Sequence, residues 1–185
     1  MNKIIIGLVG PIASGKGTVK KYLVEKYGAQ DCRFSTILRD VLNRLSLETS
    51  RDNLIKVSTI LREQFGQDLL AKVIANDAKH FTGDLVVIDG VRRMEDVKYL
   101  REVPGFVLVA IDAHPERRHS RLINRNENAG DDKKTYEEFV ADHSRETEAT
   151  IPGVMKTADL TIDNSGTMEE LYAQVDKIVA DLKAK

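Results

Sequence analysis

Short β-branched runs alternate with longer stretches of helical period along this chain of 185 residues. The first run, residues 3–9, is Ile/Val-rich and stops at Gly10-Pro11. Its unbroken apolar character predicts a strand buried on both faces. Helical period follows over 15–27, with Val19, Leu23 and Val24 on one face. A brief strand near Cys32-Arg33-Phe34 then leads to Ser35, expected to cap a helix carrying Ile37, Leu38, Val41, Leu42 and Leu45. Two more helices are predicted over 52–65 and 67–80, parted by Gly66. A second buried strand, 85–89, ends at Gly90, and a short helix at 94–102 precedes a third strand, 106–112. Pro115 suits the first turn of a helix running to about residue 126. Residues 127–134 are polar and aperiodic, which predicts a mobile loop. A helix at 135–148, a strand at 159–163 and an amphipathic helix bearing Leu171, Val175, Ile178, Val179 and Leu182 close the pattern. About five strands alternating with about eight helices predict a three-layer α/β domain with a parallel sheet. No repeat or linker divides the chain, so residues 1–185 are expected to form a single domain.

Between the first strand and the first helix lies Gly10-Pro11-Ile12-Ala13-Ser14-Gly15-Lys16-Gly17-Thr18. This is the spacing of a P-loop. Glycines let the backbone curl until its N–H groups converge on phosphate oxygens, and the helix N-terminus adds positive potential. Gly10, Ala13, Ser14, Gly15, Lys16, Gly17 and Thr18 are therefore expected to bind ATP, with Lys16 reaching the β- and γ-phosphates. The motif ordinarily places Ser or Thr directly after the lysine, to hold Mg2+. Here Gly17 stands there and Thr18 comes one place later, so the ion is expected to rest more on phosphates and water, with Thr18 and the carboxylate of Asp89 as its protein contacts, directly or through water.

Asp89 ends a buried strand, and in a parallel sheet that end faces the same crevice as the P-loop. It can orient magnesium-bound water or the acceptor. Arg92 and Arg93 follow at once, and two guanidinium groups beside a phosphate crevice suit bidentate anion binding. Arg121 and Arg125 are four apart and share a helix face, aiming two guanidiniums at one target. Arg117 and Arg118 read instead as a solvated basic face. Arg39 and Arg62, each mid-helix among apolar residues, could reach an acceptor phosphate, although each taken alone reads as a surface arginine.

Composition narrows the partners. With 42% apolar and 31% charged residues the chain has the profile of a soluble globular enzyme, and a formal net charge of −1 gives no global reason to bind nucleic acid or membrane. Aromatics at 5% argue against a stacking platform for nucleic acid. A single cysteine, Cys32, forbids an internal disulfide and reads as a small buried hydrophobe. The four histidines show no metal-ligand spacing. The first apolar run is too short to span a membrane and lacks a signal-peptide cleavage site, so a cytoplasmic location is expected.

The nine-residue loop resembles that of the nucleoside monophosphate kinases, adenylate kinase above all, where Lys-Gly-Thr replaces the commoner Lys-Ser/Thr. Val87-Ile88-Asp89-Gly90-Val91-Arg92-Arg93 is similar to their Asp-Gly-Phe-Pro-Arg segment, although the proline is missing, which leaves either Arg92 or Arg93 to hold the acceptor. Ser35-Thr36-Ile37-Leu38-Arg39 is similar to the segment whose Leu-Arg pair contacts the monophosphate. Arg121-x-x-x-Arg125 resembles the pair that opens the lid, the first against the adenine and the second serving the moving phosphate, and Arg145 stands for an arginine beyond it. The strand and helix from Val109 to Arg118, and Ala158 to Gly166, also resemble dephospho-CoA kinase. The whole layout is similar to archaeal and bacterial adenylate-kinase-related proteins that share the Asp-Gly-Val-Arg element. The resemblance implies a P-loop NTPase sheet of order 2-3-1-4-5, an acceptor-binding helical segment at about 35–80 and a short lid at about 125–135. It implies an ATP- and Mg2+-dependent transfer to a small nucleotide, in which Lys16, Asp89, Arg125 and Arg145 act in catalysis and Ser35, Arg39, Arg62, Gly90, Arg92 and Arg93 hold the acceptor. The alternatives are a dephospho-CoA kinase and, from another class, an ATPase that regulates a protein or RNA partner.

Overall fold

In the computed structural model, residues 3–125, 133–142 and 149–184 are described. The expected lid lies largely outside them, and Arg145 lies outside them altogether. The strands are β1 (Ile4–Val9), β2 (Gln30–Arg33), β3 (Leu85–Asp89), β4 (Phe106–Asp112) and β5 (Leu160–Asp163). All pair in parallel in the order β2-β3-β1-β4-β5, the order expected. The helices are α1 (Lys16–Tyr27), α2 (Phe34–Arg44), α3 (Arg51–Phe65), α4 (Leu69–His80), α5 (Met94–Leu100), α6 (Pro115–Arg125), α7 (Tyr136–Asp142), α8 (Ile151–Met155) and α9 (Met168–Lys183).

The alternation of each strand sorts its side chains into two cores. Ile5 and Val9, Val86 and Ile88, and Leu108 and Ala110 face one side, where they meet Leu38, Leu70, Ile74, Leu100 and Val154 from the helices α2, α4, α5 and α8. Ile6 and Leu8, Leu85 and Val87, and Val109 and Ile111 face the other, against Val19 and Leu23 of α1 and Leu171, Val175 and Val179 of α9. Each such large side chain contributes roughly 1.5–3 kcal/mol when fully buried. Because both faces are covered, the strands must read as continuous apolar runs rather than as alternating ones, and they do.

Two local readings are corrected. Phe34 opens α2 instead of closing β2, and Ser35 lies inside that helix; the residue preceding it, Arg33, occupies the N-cap with no side-chain hydrogen bond. The buried Phe34 ring joins the core from the first helical position, which matters more to this junction than a hydroxyl cap. The short helix α8 was not anticipated. Its Pro152 sits in its first turn, where a missing N–H costs nothing.

The start of β5 is fastened by one carboxylate. Asp159 Oδ2 accepts from the Leu108 amide at 2.8 Å, while both Asp159 oxygens accept from Arg101 Nη1 at 2.7 and 2.8 Å. The backbone bond is the part that a neighbouring water cannot easily replace. Asp159→Ala is expected to lower stability in urea denaturation by about 1–3 kcal/mol, and Arg101→Ala by less than about 1 kcal/mol. Equal losses in the two variants would mean that the exposed ion pair, and not the amide bond, secures the strand.

Candidate nucleotide site and the adjoining arginine-lined cavity

The turn from β1 to α1 is a backbone clasp held from three sides. A Cβ on Gly10 would overlap the Ile111 carbonyl oxygen of β4 and stand 2.7 Å from Ser14 Oγ. Gly15, the N-cap of α1 at φ +106°, leaves no room for a Cβ beside Asn164 Nδ2. Ala13 is held at φ +58°, a left-handed conformation that costs a non-glycine residue about 1 kcal/mol. No side chain caps α1 and no acidic residue lies in its first turn. The amides of Gly17 and Thr18 precede the first intrahelical bond, Val19 N to Gly15 O at 3.0 Å, so the positive end of the helix opens into the clasp. Ser14 is fully buried, and its hydroxyl has no hydrogen-bond partner among the described residues. Lys16 Nζ arches over the loop to donate to Gly10 O at 2.6 Å and Pro11 O at 2.9 Å. These features fit a chain of phosphates.

The outer side of the clasp comes from α6 and the end of β5. Asn164 Nδ2 donates to Ser14 O at 2.8 Å, Arg121 Nη2 donates to Asn164 O at 2.8 Å, and Asn164 N donates to Asp112 O at 2.7 Å. Burial, then the charge of Arg117, pulls the Arg121 guanidinium below its ordinary pKa. Arg118 is corrected: it is 6% exposed, not solvated. Its Nε donates to Ala113 O at 3.0 Å, its Nη1 donates to Ile12 O at 3.4 Å, and its guanidinium lies over the Phe139 ring of α7. Arg117 is exposed, as expected. Arg125 is the last residue of α6.

On the inner side, Asp89 and Gly90 border a cavity of about 490 Å³, within the range of small-molecule sites. Phe34, Leu38, Leu54 and Ile55 form its apolar wall, Ser35, Ser58, Thr59 and Thr150 supply hydroxyls, and Arg33, Arg62, Arg92 and Arg93 line it with positive charge. Of the expected acceptor residues the cavity thus gathers Ser35, Arg62, Gly90, Arg92 and Arg93, both members of the arginine pair. Arg39 is exposed on α2 and is not among the lining residues. Asp96 organises the turn after β3, its Oδ2 accepting from the amides of Arg92 at 3.1 Å and Arg93 at 3.0 Å. Burial pushes the Asp96 carboxyl up, against the pull of those two bonds.

Two residues at the site escaped the sequence reading besides Asn164. Arg33 lines the cavity and pairs with Asp31. Lys20, 9% exposed, donates from Nζ to Asp89 Oδ2 at 3.0 Å and stands 3.6 Å from Asp31 Oδ2. Thr18 is half-buried in the first turn of α1, while the carboxylate expected to assist magnesium is the one that Lys20 engages. No cluster of three or more His, Cys, Asp or Glu suited to a metal occurs among the described residues. Cys32 is buried as expected, its thiol pushed up to about 12 by burial and then by the charges of Asp77 and Asp31. Among the described residues no helix is long and apolar enough to cross a membrane.

Strand order, loop and flanking cavity define a P-loop domain of kinase-like architecture. Residues 9–140 match the AAA domain family. The UPF0200 protein of Thermococcus kodakarensis is 32% identical over 98% of this chain and 100% of its own, and that of Methanoregula boonei is 31% identical over 97% of each. The chain belongs to the UPF0200 family, and its P-loop domain to the AAA domain group. Among solved structures, a shikimate kinase from Bacteroides thetaiotaomicron superposes with a TM-score of 0.64 at 14% identity, covering 97% of this chain and 98% of that one. TT1252 from Thermus thermophilus gives 0.60 at 18% identity, covering 98% and 99%. At such identities the likeness is one of fold.

The Asn164 contact makes a direct expectation. Asn164→Ala removes the donor to Ser14 O and is expected to cost about 1–3 kcal/mol. Hydrogen exchange at residues 13–18 should quicken selectively in that variant. Unchanged exchange there would show that the loop holds its shape without the β5 end.

Proposed function

We propose that this protein transfers the γ-phosphoryl group of ATP to a small nucleotide acceptor, most simply a nucleoside monophosphate. The observation that carries the reading is the arginine-lined cavity opening at the end of β3, beside the loop that suits a triphosphate. A hydrolase needs no second pocket of that size and charge. Four arginines against the two carboxylates Asp89 and Asp96 leave its lining positive, as a dianionic phosphate requires. The apolar wall suits a flat base or another compact hydrophobic body.

In this reading the amides from Ala13 to Thr18 hold the β- and γ-phosphates. Lys16 leaves the carbonyls of Gly10 and Pro11 to neutralise the oxygens that gain charge during transfer. Magnesium, bound with the nucleotide, supplies further neutralisation on the phosphates. Arg62, Arg92 and Arg93 grip the acceptor, and Asp89 at the boundary aligns its attacking group. Arg121 borders the nucleotide on the α6 side, while Arg125 and Arg145 are assigned to the moving phosphate and residues 125–135 to closure over it. Exclusion of water then favours transfer over hydrolysis. Arg39 is assigned to the acceptor only on closure.

The relevant experiment is a coupled assay with Mg·ATP and a panel of nucleoside monophosphates, dephospho-CoA and shikimate, the last because shikimate kinases share the fold. Turnover of a monophosphate is expected. Turnover of dephospho-CoA or shikimate alone would reassign the acceptor, and slow hydrolysis indifferent to every acceptor would favour a regulatory ATPase. Lys16→Ala should abolish transfer with its circular dichroism unchanged. Arg93→Ala should raise the acceptor KM about tenfold or more with little change in the KM for ATP. A loss confined to ATP affinity would place Arg93 on the wrong side of the reaction.

A further inference from the structure

Lys20 is a buried cation beside the phosphate loop that the proposed reaction does not use. It lies one helical turn beyond Lys16, on the face of α1 that packs against the sheet. Strand register explains what it meets there. Arg33 is the Cα partner of Asp89 and Asp31 that of Val87, so Asp31 and Asp89 lie on one face of neighbouring strands, the face that Val87 shares with α1. Both carboxylates therefore turn toward a single point, and the Lys20 ammonium occupies it, 3.0 Å from Asp89 and 3.6 Å from Asp31. Arg33 donates to the same Asp31 oxygen, Oδ2, so that carboxylate is shared between the two cations.

Two carboxylates converging on one point beside a phosphate cradle are the usual makings of a divalent-cation site. A buried ammonium is stable only when it is paired, and here its partners are those same carboxylates. We infer that Lys20 is a positioning residue that fills the place of a protein-bound metal, so that Asp31 and Asp89 take no divalent ion and magnesium enters the site on the nucleotide alone. The missing hydroxyl directly after Lys16 agrees with this division. Gly17 offers no side-chain hydroxyl at the position where P-loops ordinarily anchor the ion. The inference concerns the charge pairing itself and holds for a kinase or an ATPase.

The test uses Mn2+ alone, read by electron paramagnetic resonance on nucleotide-free protein. Wild type and Lys20→Arg are expected to show no saturable binding at micromolar metal. Lys20→Met should gain a site binding Mn2+ at least about tenfold more tightly, and the added Asp89→Asn change should remove it. A second arm leaves Lys20 in place and compares binding of adenylyl imidodiphosphate, with and without Mg2+, in wild type and Asp89→Asn. The enhancement by Mg2+ should be the same in both. Saturable Mn2+ binding by wild type, a folded Lys20→Met variant with no gain, or a smaller Mg2+ enhancement in Asp89→Asn would each overturn the inference. If adenylyl imidodiphosphate does not bind wild type at all, the proposed phosphotransfer fails, while the Mn2+ arm still decides the role of Lys20.

Discussion

The turn between β1 and α1 has almost no freedom, because three distant segments close on its backbone. The Ile111 carbonyl at the end of β4 leaves space only for a glycine at position 10, Asn164 after β5 does the same at position 15, and Arg118 of α6 donates to Ile12 O. All three contacts exist only because the sheet is parallel and ordered with β1 at its centre and β4 and β5 to one side. A loop of main-chain amides binds phosphate well when it is shaped in advance, since ordering it at the moment of binding would cost conformational entropy. The fold and the anion site are thus one problem with one solution. The apolar strands hold the ends in register, and the registered ends hold the loop.

Electrostatics on the other side of β1 follow a different logic. At the ends of β2 and β3 the charges are paired among themselves, Lys20 with Asp89 and Asp31, and Arg33 with Asp31. Asp96 is turned inward, where it accepts from the backbone amides of the arginine pair. Arg92 and Arg93 are therefore presented by a turn whose backbone is held from inside. Presentation of this kind gives direction as well as charge, which is what distinguishes recognition of an acceptor from mere attraction of anions.

The parts legible in the sequence were those with local causes. Buried strands announce themselves as contiguous Ile/Val runs, and the phosphate loop as a spacing of glycines between a strand and a helix. The helix expected at 94–102 runs from Met94 to Leu100, and the terminal helix, Met168–Lys183, carries all five of the apolar residues whose helical spacing announces it. What stayed hidden depended on partners far away in the chain. Arg118 looked solvated because its neighbours in sequence are charged, yet it reaches Ile12, 106 residues distant. Lys20 sits in a lysine-rich helix where nothing local marks it, and its partner is 69 residues away. Nothing near Asn164 in the chain marks it, because its contact with Ser14 spans 150 residues. Ser35 was misplaced for the opposite reason: a strong local capping preference yielded to the burial of Phe34.

The central claim is that the clamped turn is a ready-made seat for a triphosphate. Isothermal titration calorimetry with adenylyl imidodiphosphate and Mg2+ addresses it without any assumption about the acceptor. The account predicts one saturable site per chain in the wild-type protein, and its loss when an alanine at position 15 forces the Asn164 side chain away from the loop. Absence of saturable heat at millimolar nucleotide, or undiminished binding with that alanine in place, would contradict it.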